Sequence, residues 1–287
     1  MILNVAAAQF ASRIADLDAN LSQHYDWAQR ASGADLLVFP ELSMVGHYGA
    51  EQMLDVAMKA DDRRLLELSR AAEDTILVVG FVEEGPAAQF YNSAGVYKRG
   101  DLVYLHRKIN LSSYGLLIET KSYAQGRYVD TFAAGDDWRL GLMLTADVWN
   151  PSLVSLAFLK GASLLVAPVS SGVETMGEGF DNPKGWEATM HFYSMMYGAP
   201  SIMVNRVGTE EDLTFWGGSR ILDAYGQPLA VAGDGPELIT AQLDYQQVRH
   251  ARAQLPTVGD SNLGLVAREI GRAAAGIGVP EALRRGG

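Results

Sequence analysis

Short apolar runs alternate with stretches of helical period along most of the chain, a pattern typical of an α/β protein. Apolar residues at helical spacing predict helices over residues 16–32, 60–74, 151–160 and 186–197, and a short polar helix over 244–252. Apolar runs and alternating segments predict strands at residues 2–9, 36–39, 76–82, 90–97, 102–105, 127–132, 140–144, 163–169, 201–207, 218–223, 229–232 and 238–243. The strand–helix–strand order of the first 40 residues predicts a parallel pair of strands.

One predicted strand, residues 140–144, ends at a residue with a reactive side chain. The chain turns at residues 145–147, and a helix is predicted to begin at Asn150 and Pro151, because Pro in the first helical turn after Asn is a helix-start signal. Thr145 therefore follows a buried strand and precedes a helix, which is where a parallel sheet places its chemistry. The alternative is that Thr145 only ends the strand.

Two further side chains at strand ends suit the same chemistry. Glu41 follows the strand predicted at residues 36–39, and Lys108 follows the hairpin strand at 102–105. Alternation from Leu105 puts His106 and Lys108 on one face of that strand and Arg107 on the other. Each could be a solvated loop residue. Brought together with Thr145, however, an acid, an ammonium and a hydroxyl suit acyl transfer, with the acid accepting the nucleophile's proton and the ammonium holding the oxyanion.

At these residues the chain resembles the nitrilase, or carbon-nitrogen hydrolase, superfamily over about residues 2–245. Phe-Pro-Glu-Leu at 39–42 resembles the motif of the general-base glutamate, and His-Arg-Lys-Ile-Asn-Leu at 106–111 that of the catalytic lysine. Segments 91–94, 205–208 and 217–219, with Asp223, match accessory motifs in the usual order. The resemblance implies a four-layer αββα sandwich of two mixed β-sheets, formed by a domain over residues 1–250. A tail, 251–287, is expected at a subunit interface or disordered.

The chain departs from the family at the nucleophile. The family pattern is two apolar residues, Cys, any residue and Asp, whereas residues 143–147 are Met-Leu-Thr-Ala-Asp. Asp147 fixes the alignment, so Thr145 occupies the position of the cysteine. A threonine hydroxyl is much harder to deprotonate than a thiol, and its β-branched side chain has a stiff χ1. A natural substitution and an engineered replacement both fit a chain that has no cysteine.

The resemblance also implies other site residues. Glu119 falls where many members carry a second glutamate, which would hold the lysine and orient substrate or water. The residues implied to line a substrate pocket are Tyr48, Tyr114, Trp149, Asn150 and Trp186. Core packing is the alternative for the aromatic residues, and we interpret the Met- and aromatic-rich stripe of the helix at 186–197 as core.

Composition narrows the range of partners. The net charge of −11 comes without a basic stripe, which argues against a nucleic-acid partner, and the sequence contains no apolar run long enough for a membrane span. The absence of cysteine excludes disulfides and thiolate metal sites, and makes a cytoplasmic location the default. The N-terminus is expected to be a first strand and not a signal peptide. We expect no metal, because His47 and His191 lack a second ligand at a suitable spacing, and no other cofactor.

Three functions remain open. The first is an amide, nitrile or N-carbamoyl hydrolase, using Glu41, Lys108 and Thr145. The second is a non-catalytic protein that binds a small acid or amide in the retained pocket. The third is a hydration or lyase reaction with Glu41 and Lys108 as an acid–base pair. Each takes a small-molecule substrate or ligand, and by resemblance the chain forms a homo-oligomer, a dimer or larger.

Overall fold

Two six-stranded mixed sheets form the centre of the fold in the computed structural model, which describes residues 1–48, 52–115, 117–135 and 137–276. The strands of the described residues are β1 (Ile2–Gln9), β2 (Leu36–Val38), β3 (Ile76–Glu84), β4 (Phe90–Lys98), β5 (Asp101–Arg107), β6 (Thr131–Ala133), β7 (Arg139–Leu142), β8 (Leu164–Pro168), β9 (Ser201–Val204), β10 (Val207–Glu210), β11 (Leu213–Trp216), β12 (Arg220–Leu222), β13 (Pro228–Val231) and β14 (Glu237–Asp244). The first sheet has the order β14–β1–β2–β3–β4–β5 and the second the order β13–β12–β9–β8–β7–β6.

Helices cover the outer face of each sheet. The helices of the described residues are α1 (Leu17–Arg30), α2 (Met53–Val56), α3 (Arg63–Ala71), α4 (Pro151–Leu159), α5 (Asn182–Tyr197), α6 (Tyr245–Gln254) and α7 (Leu263–Gly276). Sequence signals fix several of their ends. Asp16 caps α1 by accepting from the Ala19 amide, and α4 begins at Pro151 with Asn150 as its cap, as predicted.

The apolar residues divide into layers that match the predicted sandwich. One cluster joins the inner faces of both sheets and includes Val5, Val78, Leu142 and Val166. A second cluster packs α1 and α3 against the first sheet, and a third packs α4 and α5 against the second. Burial of these faces is the main driving force for assembling the layers. The αββα sandwich of two mixed sheets is confirmed.

The parallel core of each sheet sets the position of the site. In the first sheet β1, β2 and β3 are parallel, and the β3–β4–β5 meander is antiparallel. In the second, β7, β8 and β9 are parallel. The carboxyl ends of β2, β7 and β8 lead directly into the segments that carry Glu41, Thr145 and Ser170.

Some elements differ from the sequence prediction. The strand predicted at 127–132 pairs only from Thr131, where β6 lies opposite β7, and the strand predicted at 201–207 ends at Val204. The helix predicted at 186–197 begins earlier, at Asn182, and a 3-10 turn at Val173–Met176 precedes it. The β10–β11 hairpin was not predicted.

The C-terminal segment extends beyond the sandwich. The predicted boundary at residue 250 falls inside α6, where Val248 and Ala251 are buried against the core. The described part of the tail ends in α7, whose apolar side chains, among them Leu263 and Ile270, are exposed. Residues 277–287 lie outside the described residues. In the part of the chain that is described, no helix combines the length and apolarity needed to cross a membrane.

Candidate active site

Three side chains predicted to meet do meet in one buried cluster. Glu41, Lys108 and Thr145 are 1–2% exposed. Lys108 Nζ donates to Glu41 Oε1 over 2.8 Å, and Thr145 Oγ1 donates to Glu41 Oε2. Glu41 thus lies between an ammonium and a hydroxyl, which is the arrangement that a general base and its nucleophile require.

Glu119 completes the cluster on the side of the lysine. Its carboxylate oxygens lie 2.9 and 2.8 Å from Lys108 Nζ. One of them also accepts from the Ser112 amide over 2.6 Å, which holds the loop after β5. Lys108 is therefore paired with two carboxylates, one on each side.

The pKa values of the cluster follow from burial and from these charges. Burial raises the pKa of Glu41, and although Lys108 opposes this shift, Glu119 adds to it, so that Glu41 is a stronger base than an ordinary carboxylate. Burial would lower the pKa of Lys108, but the charges of Glu119 and Glu41 outweigh it and raise that pKa. Burial would raise the pKa of Glu119, but Lys108 lowers it. The ammonium is therefore held in its charged form.

Asn92 and Ser170 complete the hydrogen bonding of Glu41. Asn92 Nδ2 donates to Glu41 Oε1 over 2.7 Å and to Glu119 Oε1 over 3.1 Å. The Ser170 amide lies 3.1 Å from Glu41 Oε2 and 3.0 Å from Thr145 Oγ1. The sequence pattern predicts a role for neither residue. Asn92 belongs to the accessory segment 91–94, which was a usable signal, and Ser170 follows β8 as Thr145 follows β7.

Thr145 lies at a sharp backbone turn between β7 and α4. Its φ is +22°, a value that a β-branched residue seldom adopts. The turn is held by the Asp147 amide, which donates to the Leu144 carbonyl over 2.7 Å, and by Asp147 Oδ2, which accepts from the Leu144 amide. Such a turn presents the side chain at the end of the strand, and strained backbone of this kind clusters at functional sites.

Asp147 also connects the two sheets at the site. Its Oδ1 accepts from the amides of Ile109 and Asn110 at 3.0 and 2.7 Å, and its Oδ2 lies 2.9 Å from His106 Nε2. The predicted alternation is seen along β5, because His106 and Lys108 are buried on one face and Arg107 is partly exposed on the other. His106 faces Asp147 while Lys108 faces Glu41.

A second buried ion pair lies beside the loop that follows Glu41. Arg206 Nη2 donates to Glu210 Oε1, and Glu210 Oε2 accepts from the amides of His47 and Tyr48 at 2.8 and 3.1 Å. The His47 ring then lies 2.9 Å from Ser170 Oγ through its Nδ1. Burial and the charge of Arg206 lower the pKa of His47 to about 3, so the imidazole is neutral. Arg206 belongs to the accessory segment 205–208 of the sequence analysis, whereas Glu210 lies in β10, which the sequence analysis did not predict.

The residues implied to line a pocket occupy different environments. Tyr48 and Tyr114 pack against a small apolar cluster of Leu117, Leu213 and Phe215, and Ser112 Oγ connects Tyr114 to Lys108. Trp149 is half-buried and lies 4.8 Å from the Trp186 ring.

Two of the implied pocket residues have structural contacts. Trp186 is fully buried in the cluster beneath the second sheet, and its indole donates to Ser171. The Asn150 side chain caps α4 by accepting from the Ser152 amide. Within the described residues no group of three or more His, Asp or Glu side chains is arranged to hold a metal ion.

Comparison with known proteins finds a match to one protein family over nearly the whole chain. The model of the carbon-nitrogen hydrolase family matches residues 4–253. An (R)-stereoselective amidase from Pseudomonas sp. is 29% identical over 92% of this chain and 93% of its own length. A glutamine-dependent NAD(+) synthetase from Thermotoga maritima is 28% identical over 85% of this chain but only 42% of its own length. The chain thus spans less than half of that relative.

Solved structures agree with the fold. A carbon-nitrogen hydrolase from Helicobacter pylori G27 superposes with a TM-score of 0.85 and 22% identity, covering 94% of this chain and 99% of that one. A double mutant of the amidase from Nesterenkonia sp. AN1, in complex with acrylamide, superposes with a TM-score of 0.72 and 26% identity, covering 88% of this chain and 95% of that one.

Proposed function

Because the chain belongs to the carbon-nitrogen hydrolase family, we propose that it cleaves the carbon–nitrogen bond of a small amide or N-carbamoyl compound by acyl transfer to Thr145. The observation that carries the proposal is the hydrogen bond from Thr145 Oγ1 to Glu41, with Lys108 on the other carboxylate oxygen. The (R)-stereoselective amidase and the Nesterenkonia amidase support the substrate class.

The proposed reaction has two steps. Glu41 takes the proton of Thr145 Oγ1 as that oxygen attacks the carbonyl carbon, and Lys108 stabilises the charge that develops on the carbonyl oxygen. Protonated Glu41 then gives its proton to the leaving nitrogen, which departs as ammonia or an amine and leaves an ester on Thr145. Water, deprotonated by Glu41, hydrolyses the ester and releases the acid. Over the cycle one amide and one water become one acid and one amine.

The surroundings of Thr145 offset part of the disadvantage of a hydroxyl nucleophile. A threonine has a far higher pKa than a cysteine and depends on a closely placed base. Here the base contacts the hydroxyl directly, its pKa is raised, and the hydroxyl oxygen is oriented by the Ser170 amide. We expect turnover that is slow compared with a thiol enzyme but dependent on Thr145.

Retained binding without hydrolysis is the second candidate, and the missing cysteine favours it. The Glu41–Lys108–Glu119 cluster would then hold a small amide or acid without acylation of Thr145.

Oligomerisation is part of both candidates. The exposed apolar side chains of α7, such as Leu263, Val266 and Ile270, support an interface with another subunit.

A screen of released ammonia separates the two candidates. A panel of amides, N-carbamoyl compounds and nitriles would be assayed with four proteins: the unaltered protein, Thr145→Ala, Lys108→Ala and Thr145→Cys. Activity in the unaltered protein that is lost in Thr145→Ala and Lys108→Ala would support hydrolysis with Thr145 as nucleophile. Activity only in Thr145→Cys would support the binding candidate. If none of the four proteins released ammonia, that result would contradict a carbon–nitrogen hydrolase pocket.

The screen has a matched control. Thr131→Ala removes a threonine whose hydroxyl, within the described residues, forms hydrogen bonds with the Lys160 carbonyl and Arg139 alone, at the surface, and it should leave any activity unchanged.

A further inference from the structure

Asn92 is a fully buried amide that contacts both carboxylates beside Thr145 but takes no part in the proposed reaction. Its Nδ2 lies 2.7 Å from Glu41 Oε1 and 3.1 Å from Glu119 Oε1. Lys108 Nζ lies 2.8 and 2.9 Å from the same two oxygens. Two nitrogen donors, one charged and one neutral, therefore bridge one oxygen of each carboxylate.

The strand pairing places these two donors side by side. The Lys108 amide donates to the Asn92 carbonyl over 2.8 Å at the end of the β4–β5 hairpin. The next pair along this hairpin is Ser93 and Arg107, and both of their side chains bind Glu83. Because side chains alternate between the two faces of a sheet, Asn92 and Lys108 point together to the other face, where the buried cluster lies.

The orientation of the Asn92 amide follows from its neighbours. The Nδ2 group carries two hydrogens, one for each carboxylate, whereas Oδ1 in that place would face two negative charges. Among the described residues Oδ1 is buried and has no hydrogen-bond partner. Replacing the amide therefore removes the two bonds to Glu41 and Glu119 without depriving any donor of its acceptor in the part of the chain that is described.

The two donors give the oxygens of Glu41 different roles. Oε1 is held by Lys108 and Asn92, whereas Oε2 accepts from Thr145 Oγ1 and from the Ser170 amide. Rotation of the carboxylate would break both bonds to Oε1. Oε2 is therefore kept on the Thr145 hydroxyl, which is the orientation that a general base requires.

The charges of the cluster explain why a neutral donor is useful there. Glu41 and Glu119 share a single ammonium, that of Lys108, so the three groups together carry one negative charge. An N–H group that points at both carboxylates stabilises their ionised form without adding a charge. Removal of that group should make it easier for one of the carboxylates to take up a proton.

We propose that Asn92 is a positioning residue of the Thr145 pocket, which holds Glu41 and Glu119 on one ammonium and keeps Glu41 Oε2 aimed at the Thr145 hydroxyl. The inference rests on the proposed function only in naming Glu41 as the base. It separates two tasks within the cluster, because Lys108 supplies charge to the reaction whereas Asn92 orients the base.

Unfolding by urea at two pH values tests this role without turnover. Asn92→Leu is similar in size and removes both donors, so that the pKa of the carboxylate pair in the folded protein should rise further above its unfolded value. The loss of stability should then be largest at about pH 8 and should shrink toward about pH 5, as the folded variant takes up a proton. The factor by which the substitution lowers the folding equilibrium constant should be about tenfold larger at the higher pH, the change that one pKa unit produces.

Other titratable groups around the pair keep one protonation state over this interval. Lys108, Tyr114 and Tyr123 have raised pKa values and stay protonated. His47, with a pKa of about 3, stays neutral, and Arg206, with a pKa of about 9, stays mainly charged. A loss of stability that depends on pH therefore reports on the two carboxylates.

Asn182→Leu is the matched control. Asn182 is also buried, its Nδ2 donates to Ser171 Oγ and to the Gly172 carbonyl, and its Oδ1 likewise has no partner among the described residues. Because both acceptors are uncharged, its loss of stability should be the same at the two pH values.

Asn92→Ala is the second variant, for use if Asn92→Leu does not fold, and the same dependence on pH is expected of it. A variant that folds only at the lower pH would support the proposal. A loss of stability that is equal at the two pH values, or failure of both variants to fold at either pH, would overturn it.

An assay of released ammonia separates this proposal from the proposed function. Asn92→Leu should lower kcat by about 10–10²-fold with KM nearly unchanged, and the acid limb of kcat/KM should move to higher pH. The pH-dependent loss of stability, without ammonia release by the unaltered protein, would keep Asn92 as the residue that holds the carboxylates and contradict hydrolysis. Ammonia release, with equal losses of stability at the two pH values, would keep hydrolysis and overturn the role of Asn92.

Discussion

Glu41 and Asp147 are both buried carboxylates at strand ends of the site, and each accepts at least four hydrogen bonds. The donors to Asp147 are three backbone amides and the His106 ring, from β5, its following loop and the turn at Thr145. The donors to Glu41 are Lys108, Asn92, the Ser170 amide and the Thr145 hydroxyl. Backbone amides cannot change their role, whereas a hydroxyl can donate or accept. Asp147 therefore anchors the site, and Glu41 can exchange a proton within it.

Removing Lys108 should have the largest effect on stability. Lys108→Met leaves Glu41 and Glu119 buried without a cation, and the free energy of unfolding should fall by about 3–5 kcal/mol. Urea denaturation measures the change. Lys160→Met is the control, because the Lys160–Asp130 pair is about half exposed and should contribute at most about 1 kcal/mol. Equal effects of the two substitutions would contradict a buried charge cluster.

Asp147→Asn should have the second largest effect on stability. Whichever way the amide is oriented, its NH2 group faces backbone N–H donors, and at least one hydrogen bond is lost in a buried position. The expected cost is about 1–3 kcal/mol. Because the turn at Thr145 loosens as well, activity should fall with stability. An Asp147→Asn protein as stable as the parent would show that the anchor is not needed.

Acidification should weaken the fold through the buried His24 and the half-buried His47. Burial lowers the pKa of His24 to about 4, and that of His47 to about 3, from an ordinary value of 6.5. Below pH 6.5 the unfolded chain binds protons that the folded chain does not. The free energy of unfolding therefore falls toward those folded values, by up to about 1.4 kcal/mol per pH unit for each histidine.

Two substitutions check this linkage. His24→Gln should flatten the dependence of the urea midpoint on pH below about 6.5, since one titrating group is removed. His250→Gln, at an exposed position of α6, should not change it. An unaltered slope in His24→Gln would contradict the prediction.

Glu41→Gln should have the smallest effect on stability and sharpens the contrast with Asp147. The amide oxygen can face Lys108 and Asn92, its NH2 can donate to Thr145, and Glu119 still pairs with Lys108. The Ser170 amide loses its acceptor at this position but keeps Thr145 Oγ1, 3.0 Å away. Because the fold raises the pKa of Glu41, a neutral replacement should change stability by less than about 1 kcal/mol. Any hydrolysis should nevertheless fall by about 10²–10⁴-fold. If Glu41→Gln destabilised the protein as much as Asp147→Asn does, the distinction between Glu41 as a base and Asp147 as an anchor would be contradicted.

The sequence was sufficient for the parts of the site that depend on local pattern. The apolar run before Glu41, the alternation that separates Lys108 from Arg107 and the helix start at Asn150 predicted where reactive groups lie. It was insufficient where partners are distant in the chain. Asp147 binds amides 37 and 38 residues away. The β10–β11 hairpin is poorly marked because residues 208–212 are glycine or polar, although its Glu210 fixes His47 163 residues away. The assignment of Asn150 and Trp186 to a pocket came from resemblance, and the structure gives them a cap and a core position.

The most direct test of the account is the mass of the peptide that contains Thr145 during turnover of a neutral amide, after an acid quench. We predict an added acyl group on Thr145 that is absent in Thr145→Ala, together with loss of ammonia release in that variant. Unchanged ammonia release by Thr145→Ala, with no acylated peptide in the parent protein, would contradict the assignment of Thr145 as nucleophile.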